Sequence, residues 1–173
     1  MSHHEPEFHY CPVCGSDLNA VTLKQTEPPR LLCSRCRFVF YLDPKVVACS
    51  VMELGGRILL LKRGIEPQKG RWVMPGGYVD RGEEVTAAAV RETREECGLN
   101  IRIQHLVGVY SYPGNTQVVV VYAARSLSGD LIAGDETTET GLFHPQEIPW
   151  DRLAFQSTRD ALRDYCNAKK EKE

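Results

Sequence analysis

The stretch from Gly77 to Leu99 constrains this chain more than any other. From Glu83 to Cys97 it holds neither glycine nor proline and is rich in Ala, Glu and Arg, so it predicts a helix. Gly98 follows as a natural residue to stop it in the left-handed conformation. Val85, Ala87, Ala88, Ala89 and Val90 cover most of the circumference of the first turns, which predicts burial on both flanks. Yet the last turns carry Glu92, Glu95 and Glu96, spaced three and four apart and so brought to one side. Like charges then lie side by side at the helix end where the macrodipole disfavours anions. Each effect costs from a few tenths to roughly 1 kcal/mol, and partial burial raises the cost further. Arg91 and Arg94 offset part of it. A hard divalent cation, which takes oxygen ligands, reverses the balance, so the three acids are a candidate metal site. The alternative is a solvated acidic face, which is what most Glu/Arg runs are. Gly76 and Gly77 before the helix and Gly98 after it weigh against that, because they fix a strand, loop, helix and loop of set length.

The rest of the chain supplies the frame. Val46–Met52 is rich in β-branched residues, and Gly55-Gly56 turns it into Arg57–Leu61, a hairpin signal. Strand patterns recur at Ile101–Tyr110 and Gln117–Arg125, with a short one expected at Gly141–His144. A last helix is expected from about Gln156 to Asn167. The expectation is an α/β (α+β) domain with a mixed sheet. Composition at 42% hydrophobic and 25% charged is that of a globular chain. A net charge of −2 argues against a general nucleic-acid binder. No apolar run is long enough to span a bilayer, and the first residues lack the apolar core of a secretory signal, so the default expectation is a cytoplasmic protein.

Seven cysteines in such a protein need a reason other than disulfides. Cys11 and Cys14, then Cys33 and Cys36, repeat one spacing across 18 intervening residues. Two such turns present four thiolates to one ion, the tetrahedral set that Zn²⁺ prefers. With no open position the metal is expected to be structural, stapling a segment too short to bury much core. Cys49, Cys97 and Cys166 read as small buried hydrophobes, and His3, His4 and His9 are given no role in a frayed leader.

The glycines and acids of the first segment also match a named pattern. The sequence resembles the Nudix box, Gly-x5-Glu-x7-Arg-Glu-U-x-Glu-Glu-x-Gly-U with U a bulky aliphatic. Gly77, Glu83, Arg91, Glu92, Glu95, Glu96 and Gly98 meet every fixed position, and Leu99 meets the final U. The one departure is Thr93 at the first U. Tyr41–Lys45, Trp72–Tyr78, Phe143, Glu147–Asp151 and Leu153–Phe155 extend the likeness to a Nudix subgroup with an N-terminal zinc ribbon. The resemblance implies a Nudix α/β/α sandwich over residues 43–168, a ribbon over 10–42, a leader at 1–9 and a charged tail at 169–173.

It also implies roles. Glu92, Glu95, Glu96 and the Gly77 carbonyl would bind Mg²⁺ or Mn²⁺, while Glu83 and Arg91 would form a bracing ion pair. The general base stays open between Glu96 and the acidic loop carrying Glu136 and Glu139. Arg63 and Arg71 are candidates for clamping phosphate, and Tyr112 or Phe155 for stacking a base, each against a plain structural reading. Trp72 is expected to pack the loop beneath the box. The implied substrate is a nucleotide-type small molecule, a nucleoside diphosphate linked to another group, with ADP-ribose and FAD leading. NADH is demoted because Val109–Gln117 lacks the motif of the NADH-cleaving relatives. A homodimer is common among ADP-ribose-type relatives. The rival class, a non-catalytic ligand sensor with a nucleic-acid-binding ribbon, usually has an eroded box, and here the box is intact.

Overall fold

The computed structural model describes residues 8–170. They divide into two compact units, with the boundary between Asp43 and Pro44. In the first unit, β1 (Leu18–Val21), β2 (Arg30–Cys33) and β3 (Val39–Phe40) form an antiparallel sheet in that order. Its core is the small cluster of Cys11, Leu18 and Cys33, with Cys14, Leu31 and Phe40 packed against them, and Leu32 is also buried. So small a core leaves a cross-link to supply stability. Of the leader, residues 1–7, with His3 and His4, lie outside the described residues. The His9 carbonyl accepts a hydrogen bond from the Leu18 amide at 2.8 Å, and the Phe8 ring meets Phe40 at 5.0 Å.

The second unit begins with a long hairpin, β4 (Lys45–Leu54) and β5 (Arg57–Arg63), turned by Gly55 and Gly56 at φ 59° and 75°. Both turn residues need positive φ, the demand of a two-residue hairpin loop. Short strands β6 (Trp72–Val73) and β7 (Gly76–Tyr78) follow, then helix α1 (Val85–Cys97), strands β8 (Asn100–Tyr110), β9 (Gln117–Ser128) and β10 (Thr137–Phe143), and helix α2 (Gln156–Lys170). The sheet runs β10-β5-β4-β9-β8, with β6 on β5 and β7 on β4. Among the strand pairs of the described residues β4 and β9 alone run parallel, so the sheet is mixed.

Packing on both faces explains why β4 is apolar from Val46 to Met52 except at Ser50. Cys49 and Val51 enter the main core with Leu60, Trp72, Met74, Leu153 and, from α2, Ala161 and Leu162. Ala48 faces the other way onto Ala88 and Ala89 of α1, and Met52 joins Cys97 and Leu99 beyond them. A strand covered on both faces loses the polar half of its alternation. Helix, sheet and helix thus form the α/β/α layers expected.

Several boundaries differ from expectation. α1 starts at Val85 rather than Glu83, because Glu83 closes a turn, its carboxylate accepting from the Asp80 amide at 3.0 Å. β10 starts at Thr137, so Glu139 lies on a strand rather than in an acidic loop. α2 runs through Lys170, and Lys169 holds Glu53 at 2.7 Å, while residues 171–173 lie outside the described residues. α1 is not buried on both flanks: Ala87 is exposed, and with Thr86, Val90, Arg94, Asn100 and Ile103 it lines an open groove of about 800 Å³. Among the described residues no helix is long and apolar enough to cross a membrane.

Candidate active site

The alanines of α1 decide where its carboxylates lie. Ala88 and Ala89 are fully buried against Ala48, so the helix axis comes close to β4 and to the paired β7. β7 places Gly77 opposite Ala48 and Gly76 opposite Cys49. The space a side chain at Gly77 would fill holds the Glu92 carboxylate. The Gly76 amide donates to Glu96 Oε2 at 2.8 Å. Gly76 itself has φ 153°, and a Cβ there would lie 2.5 Å from the Ala48 carbonyl oxygen. The glycine pair is thus the floor on which two glutamates rest.

Arg91 gathers the remaining charge. Its guanidinium donates to both oxygens of Glu83 at 2.9 Å, to Glu92 at 2.7 Å, to Glu95 at 3.2 Å and to the Tyr78 carbonyl at 3.0 Å. These bonds hold the Glu83 carboxyl down at about 2. Burial pushes the Glu92 carboxyl upward, and the Arg91 bond only partly restrains it. Burial pushes Glu96 to about 7, helped by the charges of Glu92 and Glu136 and opposed by the Gly76 amide and Arg63. The Cys49 thiol, buried beside both acids, rises to about 12 and stays protonated. Glu95 is different, its side chain 58% exposed. The three acids of α1 therefore share a side without meeting at a point.

The acidic segment separates its two candidates. Glu139 is opposite Lys62 in register and pairs with it at 2.9 Å. Glu136 faces the site: its charge reaches Glu92 and Glu96, and its carbonyl accepts from the Gly64 amide at 2.7 Å. The loop before it caps α1, with the Gly134 and Ile132 amides donating to the carbonyls of Glu96 and Cys97. Arg63 donates to the Pro67 carbonyl at 2.8 Å, lies over the Phe155 ring at 5.1 Å and acts electrostatically on Glu96. Arg71 bonds the Asp151 carbonyl at 3.1 Å, and Tyr112 donates to Asp160 at 2.7 Å, so both brace the fold where they stand. Trp72 is buried, edge-on to Phe143 at 5.0 Å.

Two residues escaped the sequence reading. Tyr78, next to Gly77, is 48% exposed, held by Gln117 at 2.8 Å and overlaid by Lys45 at 5.0 Å. Its signal was an aromatic directly after the glycine pair. Ser50 is fully buried and its hydroxyl lies 2.8 Å from that of Thr93. Nothing in the sequence points to Ser50, because its partner is 43 residues away.

The donor set suits a hard cation. It is all oxygen, and it is short of positive charge, since burial and mutual repulsion lift two of its carboxyls above their ordinary range. In the first unit, the sulfurs of Cys11, Cys14, Cys33 and Cys36 all lie within 4.8 Å of one another, the one such group of His, Cys, Asp or Glu ligand atoms among the described residues. Cys11 and Cys36 are 3.7 Å apart, and Cys14 and Cys33 are 3.5 Å apart. A tetrahedron with bonds of about 2.3 Å has an edge of about 3.8 Å, so the quartet fits a tetrathiolate metal. Bonds from Ser16 lower Cys14 to about 6. Cys36 receives the Phe38 amide, yet burial and the neighbouring thiols push it to about 12. Four thiols crowded this way cannot all ionise without a cation among them.

Comparison with known proteins shows the family. The NUDIX domain model matches residues 42–165 and the Nudix N-terminal model, a zinc ribbon, matches residues 9–42. The chain belongs to the Nudix family and is a Nudix hydrolase, a pyrophosphatase, with a zinc-ribbon domain before its catalytic domain. It is 36% identical over 137 residues to an ADP-ribose pyrophosphatase of Methanocaldococcus jannaschii, covering 77% of this chain and 79% of that one. The structure of a NUDIX hydrolase from Nitrosomonas europaea superposes with a TM-score of 0.88 at 34% identity, covering 95% and 93% of the two chains. A third relative, the NAD-capped RNA hydrolase NudC of Salmonella paratyphi C, is 25% identical over 142 residues, 81% of this chain, which spans 53% of that protein.

Proposed function

We propose that this protein hydrolyses the diphosphate of a nucleoside diphosphate linked to another group, with ADP-ribose first and FAD second among substrates. The observation that carries the reading is the seating of the half-buried Glu92 and Glu96 carboxylates against Gly76 and Gly77, where both carboxyls are pushed above their ordinary range. The likeness to the Methanocaldococcus jannaschii ADP-ribose pyrophosphatase supports taking ADP-ribose first. Glu92, Glu95, Glu96 and the Gly77 carbonyl would hold Mg²⁺ or Mn²⁺. Such a cation would shield the phosphates, acidify the attacking water and stabilise the leaving phosphate.

The chain's own groups do the rest. Water attacks one phosphorus and the bridging P–O bond breaks, giving two phosphate monoesters. Glu136 accepts the water's proton. Its carboxylate enters no ion pair among the described residues, whereas Glu139 is engaged by Lys62 and Glu96 is engaged at the floor of the site. Arg63, immobilised between Pro67 and Phe155, turns its remaining N–H groups to phosphate oxygens. Arg91 and Glu83 hold the loop to the helix. Tyr78 offers a ring for a base or sugar. The Cys quartet would hold Zn²⁺ in a purely structural role.

The test is phosphate release from ADP-ribose, FAD and NADH coupled to alkaline phosphatase, and from a nucleoside triphosphate coupled to inorganic pyrophosphatase, in parallel with Mg²⁺ present. Turnover of ADP-ribose or FAD that is lost in Glu96→Gln and falls steeply in Glu136→Gln supports the assignment. Equal turnover in Glu136→Gln and wild type moves the base to Glu96. Turnover of the triphosphate alone refutes the substrate class.

A further inference from the structure

The box has one departure, Thr93, and the structure gives that residue a polar partner. Thr93 is fully buried on the face of α1 that meets β4. Its hydroxyl donates to the Ala89 carbonyl at 2.7 Å, so its proton is committed, and the Ser50 hydroxyl at 2.8 Å must be the donor to Thr93 Oγ1. Ser50 is equally buried, in the middle of β4. Its own amide donates to the Pro75 carbonyl at 2.9 Å, one residue before the glycine pair. The Gly76 amide donates to Glu96, which lies one helical turn beyond Thr93. The contacts close a ring: Thr93 to Ser50, Ser50 to Pro75, Gly76 to Glu96, and Glu96 back along the helix to Thr93.

An aliphatic side chain at position 93 would hold the helix on the sheet by packing alone, which tolerates sliding and rotation. A buried hydroxyl pair does not, because a small displacement leaves a donor without its acceptor in an environment with no water to replace it. We propose that Ser50 and Thr93 are positioning residues for the hydrolytic site, fixing the register of α1 on β4 and hence where the Glu92 and Glu96 carboxylates stand above Gly76 and Gly77. The inference rests on the reading of those glutamates as cation ligands. Neither hydroxyl touches substrate or the reacting atoms. Both act through the glutamates.

The experiment compares Ser50→Ala, Thr93→Val, the double variant and the conservative Thr93→Ser in the full-length protein. Stability, kcat and KM for ADP-ribose, and the exchange rate of the Gly76 amide in EDTA-treated protein are read for each. Thr93→Val leaves the Ser50 hydroxyl without its acceptor and loses the more stability, whereas in Ser50→Ala the Thr93 hydroxyl keeps its bond to the Ala89 carbonyl and the loss is smaller. The double variant removes both groups and recovers most of it. A purely structural pair would restore everything together. Positioning predicts that the double variant regains stability but keeps a kcat lowered about 10- to 100-fold, with KM within about two-fold. Its Gly76 amide exchanges about ten-fold faster than in wild type, while Thr93→Ser stays near wild type in all readouts. Recovery of kcat and of Gly76 protection in the double variant overturns the proposal. The exchange arm uses neither metal nor substrate, so it decides the positioning role even if no diphosphate substrate is turned over.

Discussion

Gly76 and Gly77 are adjacent and chemically identical, and the structure assigns them opposite sensitivities to the same added methyl group. At Gly76 a Cβ would stand 2.5 Å from the Ala48 carbonyl oxygen and 2.6 Å from the Cys49 Cα, both parts of a central strand that cannot move alone. The backbone there also has φ 153°, outside what L side chains adopt. Strain of about 1–3 kcal/mol and overpacking of about 1–3 kcal/mol together put Gly76→Ala at about 4 kcal/mol of lost stability. At Gly77 the collision is with the Glu92 carboxylate, the free end of a flexible side chain, and the backbone has no forbidden φ. Gly77→Ala should therefore cost less than about 1 kcal/mol, since Glu92 can turn away. What it loses is function. A carboxylate displaced from its seat costs about 100-fold in kcat.

Urea titration followed by tryptophan fluorescence reads the second unit alone, because both tryptophans, Trp72 and Trp150, lie in it. With a slope near 2 kcal/mol/M, Gly76→Ala moves the midpoint down by about 2 M and Gly77→Ala by less than about 0.5 M. Phosphate release from the folded variants completes the comparison. A Gly77→Ala protein as unstable as Gly76→Ala, or one that is fully active, would refute the idea that Glu92 alone occupies that space.

Other outcomes follow from charge and from the cysteine unit. Glu96 sits at about 7, above its unfolded value near 4.5, so its ionisation works against folding. In EDTA-treated protein, stability falls as pH rises through that interval, and Glu96→Gln flattens the slope in melts between pH 4.5 and 8. Glu83 is the reverse case. Held at about 2 by Arg91, it contributes stability that is complete above its ordinary range and lost as pH falls toward 2. Glu83→Gln should erase that acid-side step in thermal melts, and a variant melting with the wild-type pH profile would show the pair to be inert. Arg37 has φ 62° directly after Cys36, where the first cysteine turn has Gly15 at φ 72°. Arg37→Gly should stabilise the cysteine unit by roughly 0.5–1 kcal/mol, read as slower metal loss to a thiol-reactive dye. Chelating that metal should unfold residues 10–40 yet leave Mg²⁺-dependent hydrolysis partly intact. Immediate and complete loss of activity, with tryptophan fluorescence unchanged, would give the ribbon more than a structural role.

Much of this was legible in the residues themselves. The strand–turn–strand around Gly55-Gly56, the helix ending at Gly98 and the two turns that each carry a cysteine pair are local devices, and each is encoded within one short segment. The glutamate spacing fixed that three acids share one side of α1, because helical geometry is local too. Local pattern could not tell how far each acid is from its surroundings. Glu95 is exposed with Arg91 beside it while Glu96 is half-buried against the Gly76 amide, and the close approach permitted by Ala48, Ala88 and Ala89 makes that difference. The different surroundings of Glu136 and Glu139 likewise come from register, since pairing β10 with β5 sets Glu139 against Lys62 and leaves Glu136 within electrostatic reach of Glu92 and Glu96. Ser50 is the extreme instance, a serine in an apolar strand with no meaning until the fold brings Thr93 against it. Sequence determined which groups exist and how each segment coils. Which of them are dry, paired or facing one another was decided by packing, because desolvation and hydrogen bonding depend on neighbours that are distant along the chain.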